Sequence, residues 1–195
     1  MDKRDEDLME DYNFRGDTEA LGMIFERYKK SVLNFALRIL GNRADAEDAV
    51  SDVFLAIFGK KYQFDGKTKF STWAFTVTRN ACIDKIRKRK KFLPLVFRKE
   101  GTQDLEEWDP PDTKDLPRED LEKKEMAHHV QQAIQKLPPE QKEALVLREY
   151  HDLSYEEISK VLDCSLSSVK VLIFRARENL KKELVTLLAG DNRHG

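Results

Sequence analysis

The feature that most constrains the fold of this chain is a pair of short helix signals after residue 153. Ser154 and Glu157 have the spacing of a capping box, in which each side chain accepts a hydrogen bond from the other residue's backbone amide. A second helix signal follows at Ser165, directly after the short turn Asp163-Cys164. Apolar residues are spaced so that they can pack between the two helices: Ile158, Val161, Leu166, Val169 and Ile173. The pattern predicts a helix-turn-helix, and an ordinary helical hairpin is the alternative.

The second helix of this motif carries side chains that suit duplex DNA. In helix-turn-helix proteins that bind DNA, the N-terminal residues of the second helix enter the major groove and its basic residues meet phosphates. The suitable residues here are Ser167, Ser168, Lys170, Arg175 and Arg177. Upstream, an apolar stripe predicts a helix that Pro138 ends, and Pro139 can begin another helix through Tyr150. The stripe consists of Met126, Val130, Ala133, Ile134 and Leu137.

The N-terminal part of the chain is also predicted to be helical. A short polar helix is expected at 5–15, and Asp17 or Thr18 can cap a long helix that stops at Gly41-Asn42. A third helix, from about Arg43 to Phe58, would bury Ala46, Val50, Val53, Phe54 and Ile57. It leaves a separate acidic face of Asp45, Asp48 and Asp52, which is either solvated or docks a partner.

A loop and a cationic helix follow in the segment from Tyr62 to Lys91. Asp65-Gly66 is typical of a turn, and Thr68 or Ser71 can cap the helix after it. At about 100° per residue, one apolar strip contains Phe70, Trp73, Ala74, Val77 and Ala81, and a second contains Phe75, Cys82 and Ile86. A third, polar strip contains Thr72, Thr76, Arg79, Asn80, Arg87 and Lys90. Phe70 and Trp73 are expected in the core rather than stacked on bases.

The run of cations at 85–91 indicates nucleic-acid contact. Asp84 just before it is the only acidic residue beside this run, whereas a solvated helix face usually mixes both signs of charge. Lys88 and Lys91 are expected to meet phosphates, and the loop aromatics offer stacking surfaces to unpaired bases. The formal net charge of −1 hides this because the N-terminus and the middle of the chain are acidic.

Composition limits the remaining possibilities. Charged residues make up 36 % of the 195, with 8 glycines and 6 prolines, which favours an all-α protein of two small helical domains. We expect them at 1–92 and 120–190, joined by a flexible acidic linker at 93–119 that contains four of the prolines. Two cysteines allow neither a disulfide framework nor a four-ligand zinc site, and no cofactor is expected. No segment approaches the roughly eighteen apolar residues of a membrane span, so a cytoplasmic protein is expected.

Read together, the segments resemble a bacterial RNA polymerase sigma factor of the extracytoplasmic-function group. The family's core-polymerase-binding helix is similar to DAEDAVSDVF at 45–54. Its promoter-melting and minus-ten segment is similar to FDGKTKFSTWAFTVTRNACIDKIRK at 64–88. Its minus-thirty-five domain is similar to LPPEQKEALVLREYHDLSYEEISKVLDCSLSSVKVLIFRARENLKKEL at 137–184. The three blocks stand in the family's order around an acidic linker.

The resemblance implies roles for particular residues. A base flipped from the minus-ten non-template strand would be captured by the loop Phe64, Asp65, Gly66, Lys67, Thr68 and Lys69. The path of that strand would be lined by Thr72, Trp73, Arg79 and Asn80. The minus-thirty-five duplex would be touched by Lys170, Phe174, Arg175 and Arg177. The clamp of the polymerase's largest subunit would bind the helix with Asp45, Asp48 and Asp52, and the flap of the second largest subunit would hold the second domain.

The chain also departs from the family pattern. Members often carry Gln-Glu or Gln-Asp where this chain has Ser51-Asp52, which implies a differently made clamp contact. Members often have polar or basic residues at the positions of Val171 and Leu172, so the base preference there need not be the family's. With no built-in sensor domain, control by a separate anti-sigma factor is expected.

Two other classes of protein are weighed against a sigma factor. A metal-dependent nuclease would need His128 or His129, but adjacent residues point about 100° apart on a helix and no second ligand motif supports them. We therefore expect a protein that is not an enzyme. A stand-alone helix-turn-helix regulator is the stronger alternative, although it leaves the loop and cationic helix at 62–91 without a role.

Overall fold

The chain folds as two all-helical units. The computed structural model describes residues 3–59, 63–92 and 119–191, and every regular element in those ranges is an α-helix. The first unit contains α1 (Asp5–Arg15), α2 (Thr18–Leu40), α3 (Arg43–Phe58) and α4 (Phe70–Phe92). The second contains α5 (Glu119–Gln135), α6 (Pro139–Glu149), α7 (Tyr155–Leu162) and α8 (Leu166–Asp191). The predicted all-α fold with two helical domains is confirmed; residues 93–118 of the expected linker lie outside the described ranges.

Local capping explains where the helices of the first unit begin and end. The Asp17 carboxylate accepts hydrogen bonds from the amides of Glu19 and Ala20, and the Asn42 side chain accepts one from the amide of Asp45. Gly16 and Gly41 end α1 and α2 with φ values of 68° and 72°, a left-handed conformation that glycine adopts without a steric cost. The bounds predicted for the first three helices are confirmed.

The core of the first unit lies where α2 packs against α1, α3 and α4. Ile24 and Phe35 of α2 are fully buried, and the Phe35 ring meets the Phe75 ring of α4 edge to face at 5.6 Å. The expectation that α1 is simply a polar helix is wrong, because its Leu8, Met9 and Tyr12 are also buried. The third helix buries four of its five predicted residues, while Phe54 is only partly covered.

The second unit contains the predicted helix-turn-helix as α7 and α8. The Ser154 hydroxyl accepts from the Glu157 amide at 3.1 Å and the Glu157 carboxylate accepts from the Ser154 amide at 2.8 Å, which confirms the capping box. Asp163 ends α7 with φ 52°, and the Ser165 hydroxyl accepts a hydrogen bond from the Ser168 amide near the start of α8. Four of the five residues predicted to lie between the helices are buried; the fifth, Leu166, is 38 % exposed.

Candidate nucleic-acid interface

The loop before α4 is shaped by one aspartate. The Asp65 carboxylate accepts a hydrogen bond from the Lys67 amide at 3.1 Å and forms an ion pair of 2.9 Å with the Lys67 ammonium. These hydrogen bonds lower the pKa of Asp65 below its usual value. Gly66 between them has φ 71°, which suits glycine and would strain another residue. The loop therefore projects an exposed, preformed turn, as its Asp-Gly sequence predicts.

The aromatic residues next to this turn form a cluster. The Phe64 ring meets the rings of Phe70 and Trp73 edge to face, with centroids 5.5 Å and 5.6 Å apart. Phe70 is 1 % exposed and Phe64 is 8 % exposed, whereas Trp73 is partly exposed. The expectation that Phe70 is a core residue is confirmed, and the face of Phe64 is covered in this structure.

Helix α1 contacts the loop and the two helix ends that flank it. The Tyr12 hydroxyl donates to the Phe58 carbonyl at 2.6 Å, and the Asn13 amide group donates to the Phe64 carbonyl at 3.4 Å. At the far end, the Glu6 carboxylate accepts from the Phe70 amide at 3.2 Å. The expectation that Thr68 or Ser71 caps α4 is therefore corrected: a carboxylate from α1 binds the first amide of α4.

A cavity of about 470 Å³ lies between α1 and the loop. Its α1 side consists of Glu6, Glu10, Asn13 and Phe14, and its loop side of Gln63, Phe64, Asp65 and Gly66. Phe14 is 84 % exposed, which is unusual for a phenylalanine. The cavity thus combines carboxylates with an exposed aromatic ring.

The polar strip predicted on α4 is only partly accessible. Thr72 is 2 % exposed on a helix that packs against α2 and α3, so its placement on an open polar face is wrong. Asn80 and Lys88 are exposed, and Arg79 is partly buried. The Lys91 side chain lies outside the described residues. Trp73, Asn80 and Lys88 remain open to a partner along α4.

The acidic face of α3 lies beside the cationic face of α4. Lys85 pairs with Asp48 at 3.3 Å, and Arg89 pairs with Asp45 at 3.8 Å. Ser51 and Asp52 are exposed. In the sequence the two charged faces are separate features, and their contact could not be predicted because it depends on how α3 and α4 pack. Exposed pairs of this kind contribute at most about 1 kcal/mol each.

In the second unit, the predicted DNA-binding residues project from the first half of α8. Six of the seven are exposed and, within the described residues, have no hydrogen-bond or ion-pair partner outside α8 and its cap: Ser167, Ser168, Lys170, Val171, Phe174 and Arg175. Arg177 is also exposed, but its guanidinium pairs with the Glu149 carboxylate of α6 at 2.6 Å. Glu149 was not singled out from the sequence, since 28 residues separate it from Arg177.

The part of the chain that the structure describes offers neither a membrane span nor a metal site. Within the described ranges, no helix is both long enough and apolar enough to span a membrane. The same residues contain no group of three or more side chains placed to hold a metal ion. Of the two cysteines, Cys82 is buried and Cys164 is partly buried, and the two are not joined in a disulfide.

The fold is that of a two-domain helical protein with a C-terminal helix-turn-helix, and comparison with known proteins identifies its family. The family profile of sigma-70 region 2 matches residues 24–92, and that of sigma-70 region 4 matches residues 128–180. The ECF RNA polymerase sigma factor SigW of Bacillus subtilis is 33 % identical over 171 residues, 87 % of this chain and 91 % of the relative. The RNA polymerase sigma-H factor of Pseudomonas aeruginosa is 30 % identical over 188 residues, 95 % of this chain and 96 % of the relative. The chain belongs to the sigma-70 family of RNA polymerase sigma factors, in its extracytoplasmic-function group.

Solved structures share the fold. The sigma factor RpoE, in complex with the anti-sigma factor NepR from Bartonella quintana, has a TM-score of 0.64 at 23 % identity, covering 84 % of this chain and 95 % of RpoE. CnrH, in complex with the cytosolic domain of CnrY, has a TM-score of 0.66 at 22 % identity, covering 97 % of this chain and 99 % of CnrH. At these identities the likeness shows the fold alone.

Proposed function

We propose that this protein binds core RNA polymerase and directs promoter-specific initiation of transcription, without catalysing a reaction itself. The observation that carries the proposal is the order of the matches: region 2 on α2–α4 and region 4 on α5–α8, in a chain whose relatives align over nearly its full length. In this proposal the first domain comprises residues 1–92 and the second residues 120–190, and residues 93–119 form the linker between them. The protein acts in the cytoplasm, where core polymerase and promoter DNA are found.

The first unit reads the minus-ten element. The turn at 64–69 receives a base that leaves the stack, while Trp73, Asn80 and Arg79 guide the unpaired strand along α4. Lys88 and Lys91 bind the phosphates of this strand. Ammonium groups that contact the DNA backbone release its condensed counterions, which favours binding. The partial exposure of Trp73 and the preformed turn at 65–67 support this role. Phe64 and Thr72 are buried and contribute packing beneath this surface.

The second unit reads the minus-thirty-five element through α8. The residues near its N-terminus that enter the major groove are Ser167, Ser168 and Lys170. Val171 comes directly after them, and Phe174 and Arg175 lie about one turn further along α8. Arg177 reaches a phosphate only if its pair with Glu149 opens, so it contributes less than Arg175. The apolar groups of Val171 and Phe174 suit thymine methyl groups.

Two protein partners complete the proposal. The exposed acids Asp48 and Asp52, with Asp45 and Ser51 beside them, dock on basic residues of the polymerase clamp, and the second unit binds the flap. An anti-sigma factor restrains the protein until it is needed, as solved relatives in complex with NepR and CnrY suggest.

The test compares promoter binding with and without polymerase. Labelled promoter fragments from a genomic library are mixed with the protein, with core polymerase, or with both, and complexes are resolved on a native gel. We expect sequence-specific complexes only when both proteins are present. Sequence-specific binding by the protein alone, unchanged by core polymerase, would instead support a stand-alone helix-turn-helix regulator.

A further inference from the structure

Helix α1 is bonded to the base-reading loop at 64–69 and to the helix end on either side of it. Its Tyr12 holds the carbonyl of Phe58 at the end of α3, its Asn13 holds the carbonyl of Phe64 in the loop, and its Glu6 holds the amide of Phe70 at the start of α4. These contacts join residues 46 to 64 positions apart, so the loop conformation depends on α1 being in place.

Helix α1 is itself fixed to the body of the first unit. Leu8 and Met9 are 0 % and 1 % exposed, and the Asp5 carboxylate accepts hydrogen bonds from Arg27 and Tyr28 of α2. Side chains held by packing and by hydrogen bonds at both ends give a rigid platform, which is what a recognition loop needs to keep one shape. Movement of α1 would therefore move the loop.

The cavity between α1 and the loop suits a base and not a phosphate. The Glu6, Glu10 and Asp65 carboxylates around it repel phosphate but accept hydrogen bonds from the amino groups of bases. At the rim, Phe14 exposes 84 % of its surface, and such a ring offers a stacking surface to an unpaired base. The cavity therefore has both a hydrogen-bonding wall and a stacking surface for one base.

We propose that α1 is the second half of the base-reading site: Glu6, Tyr12 and Asn13 position the loop, and Phe14 stacks on the base that the loop receives. The proposal rests on the proposed role of the loop at 64–69 and adds a residue that contacts the base and three positioning residues. The ligand is a single unpaired nucleobase of the non-template strand. The charge of the cavity places the phosphates outside it, near the exposed Lys67.

The experiment measures coupling between Phe14 and one nucleotide. Full-length protein with core polymerase is titrated against promoter fragments whose minus-ten region is unpaired, with each non-template nucleotide in turn replaced by an abasic site. On the fragment that keeps every base we expect Phe14→Leu to weaken binding by roughly tenfold, and Phe14→Tyr, which keeps the ring, to bind more tightly than Phe14→Leu. At one abasic position the Phe14→Leu defect should vanish, because no base remains to stack on. Val185→Ala, a change at an exposed apolar residue of the second unit, is the control and should alter nothing.

The positioning residues are tested on the same templates. Glu6→Gln keeps an acceptor for the Phe70 amide and should retain the base preference, whereas Glu6→Leu should flatten that preference at the position coupled to Phe14. Asn13→Ala should do the same more weakly, since its hydrogen bond is long. Thermal melting of each variant measures any loss of stability. Such a loss would lower binding at every position alike, whereas a positioning role affects the one position coupled to Phe14.

The outcomes separate the two proposals. If an Asp65→Ala, Lys67→Ala variant couples to one base and no α1 variant does, the role of α1 is wrong and the loop is still the reader. If Phe14→Leu has no defect, or the same defect at every abasic position, stacking by Phe14 is overturned. If neither the loop variant nor the α1 variants couple to any base, the loop is not the reader and both proposals fail.

Discussion

Reversing the charge of the acidic face on α3 should abolish binding to core polymerase and leave the fold intact. The change is Asp48→Lys with Asp52→Lys. Both side chains are exposed, and in the proposed complex both face basic residues of the clamp. Two new ammonium groups would then meet like charges, and such juxtapositions cost several kcal/mol at an interface.

The structure sets the expected cost to folding. The Asp48 side chain is 73 % exposed and pairs with the Lys85 ammonium at 3.3 Å. An exposed pair contributes at most about 1 kcal/mol, and water screens the new repulsion between Lys85 and the ammonium group introduced at position 48. In a domain of this size, about 1 kcal/mol lowers the Tm by roughly 4–8 °C, so the variant should still be folded at assay temperature.

The assay is capture of core polymerase on immobilised protein, with binding quantified by titration. The matched control is Glu26→Lys with Glu47→Lys, which makes the same change in charge at exposed positions elsewhere on α2 and α3. We expect the control to bind core polymerase and the α3 variant to lose at least a hundredfold in affinity, equivalent to about 3 kcal/mol. Unaltered capture by a folded Asp48, Asp52 variant would refute the assignment of this face.

The remaining predictions concern DNA reading and stability. Arg175→Ala should cost about 1–3 kcal/mol on the upstream element and relax preference at one position, scored by selection from randomised duplexes. Lys88→Ala should weaken binding to all promoters alike and reduce the slope of log affinity against log salt by about one. Ser154→Ala should cost the second domain about 1 kcal/mol in thermal melting, because the Glu157 amide loses its acceptor. Burial lowers the pKa of Lys142 from 10.5 to about 8, so the unfolded chain binds more protons between these values and stability should rise with pH there. Lys142→Met should remove that rise and stabilise the domain at pH 7 by at most about 3 kcal/mol.

Each of these predictions has a contrary result. An unchanged sequence preference of Arg175→Ala would remove that residue from base reading, and a promoter-selective effect of Lys88→Ala would make it a base contact. No change in Tm from Ser154→Ala would mean that the capping box adds nothing to stability. A flat pH profile of unfolding for the wild type between pH 8 and 10.5 would show that the Lys142 ammonium is not desolvated.

Helix positions were predictable because their determinants are local. Asp17, Asn42 and Ser154 cap the helices that follow them, and each acts within three residues of its own position. Proline at 139 and glycine at 16 and 41 mark further boundaries for the same reason. A single sequence contains this information in full.

The contents of the site were less predictable because they depend on packing. Spacing at about 100° per residue placed Thr72 on a polar strip, but this spacing does not show which faces of a helix are covered by other helices. The contacts of Glu6 with Phe70, and of Glu149 with Arg177, join residues distant in sequence. The buried stripe of α1 was visible in the spacing of Leu8, Met9 and Tyr12 and could have corrected its description as polar.

The most direct test of the account is run-off transcription with purified core polymerase on a library of randomised promoters. Sequencing the productive templates should reveal two separated sequence blocks, because one helical unit reads each element. The upstream block should lose one preferred base with Arg175→Ala, and the downstream block should change with the Asp65→Ala, Lys67→Ala variant. Absence of any transcript that depends on this protein, with active core polymerase and a known sigma factor as positive control, would contradict the account.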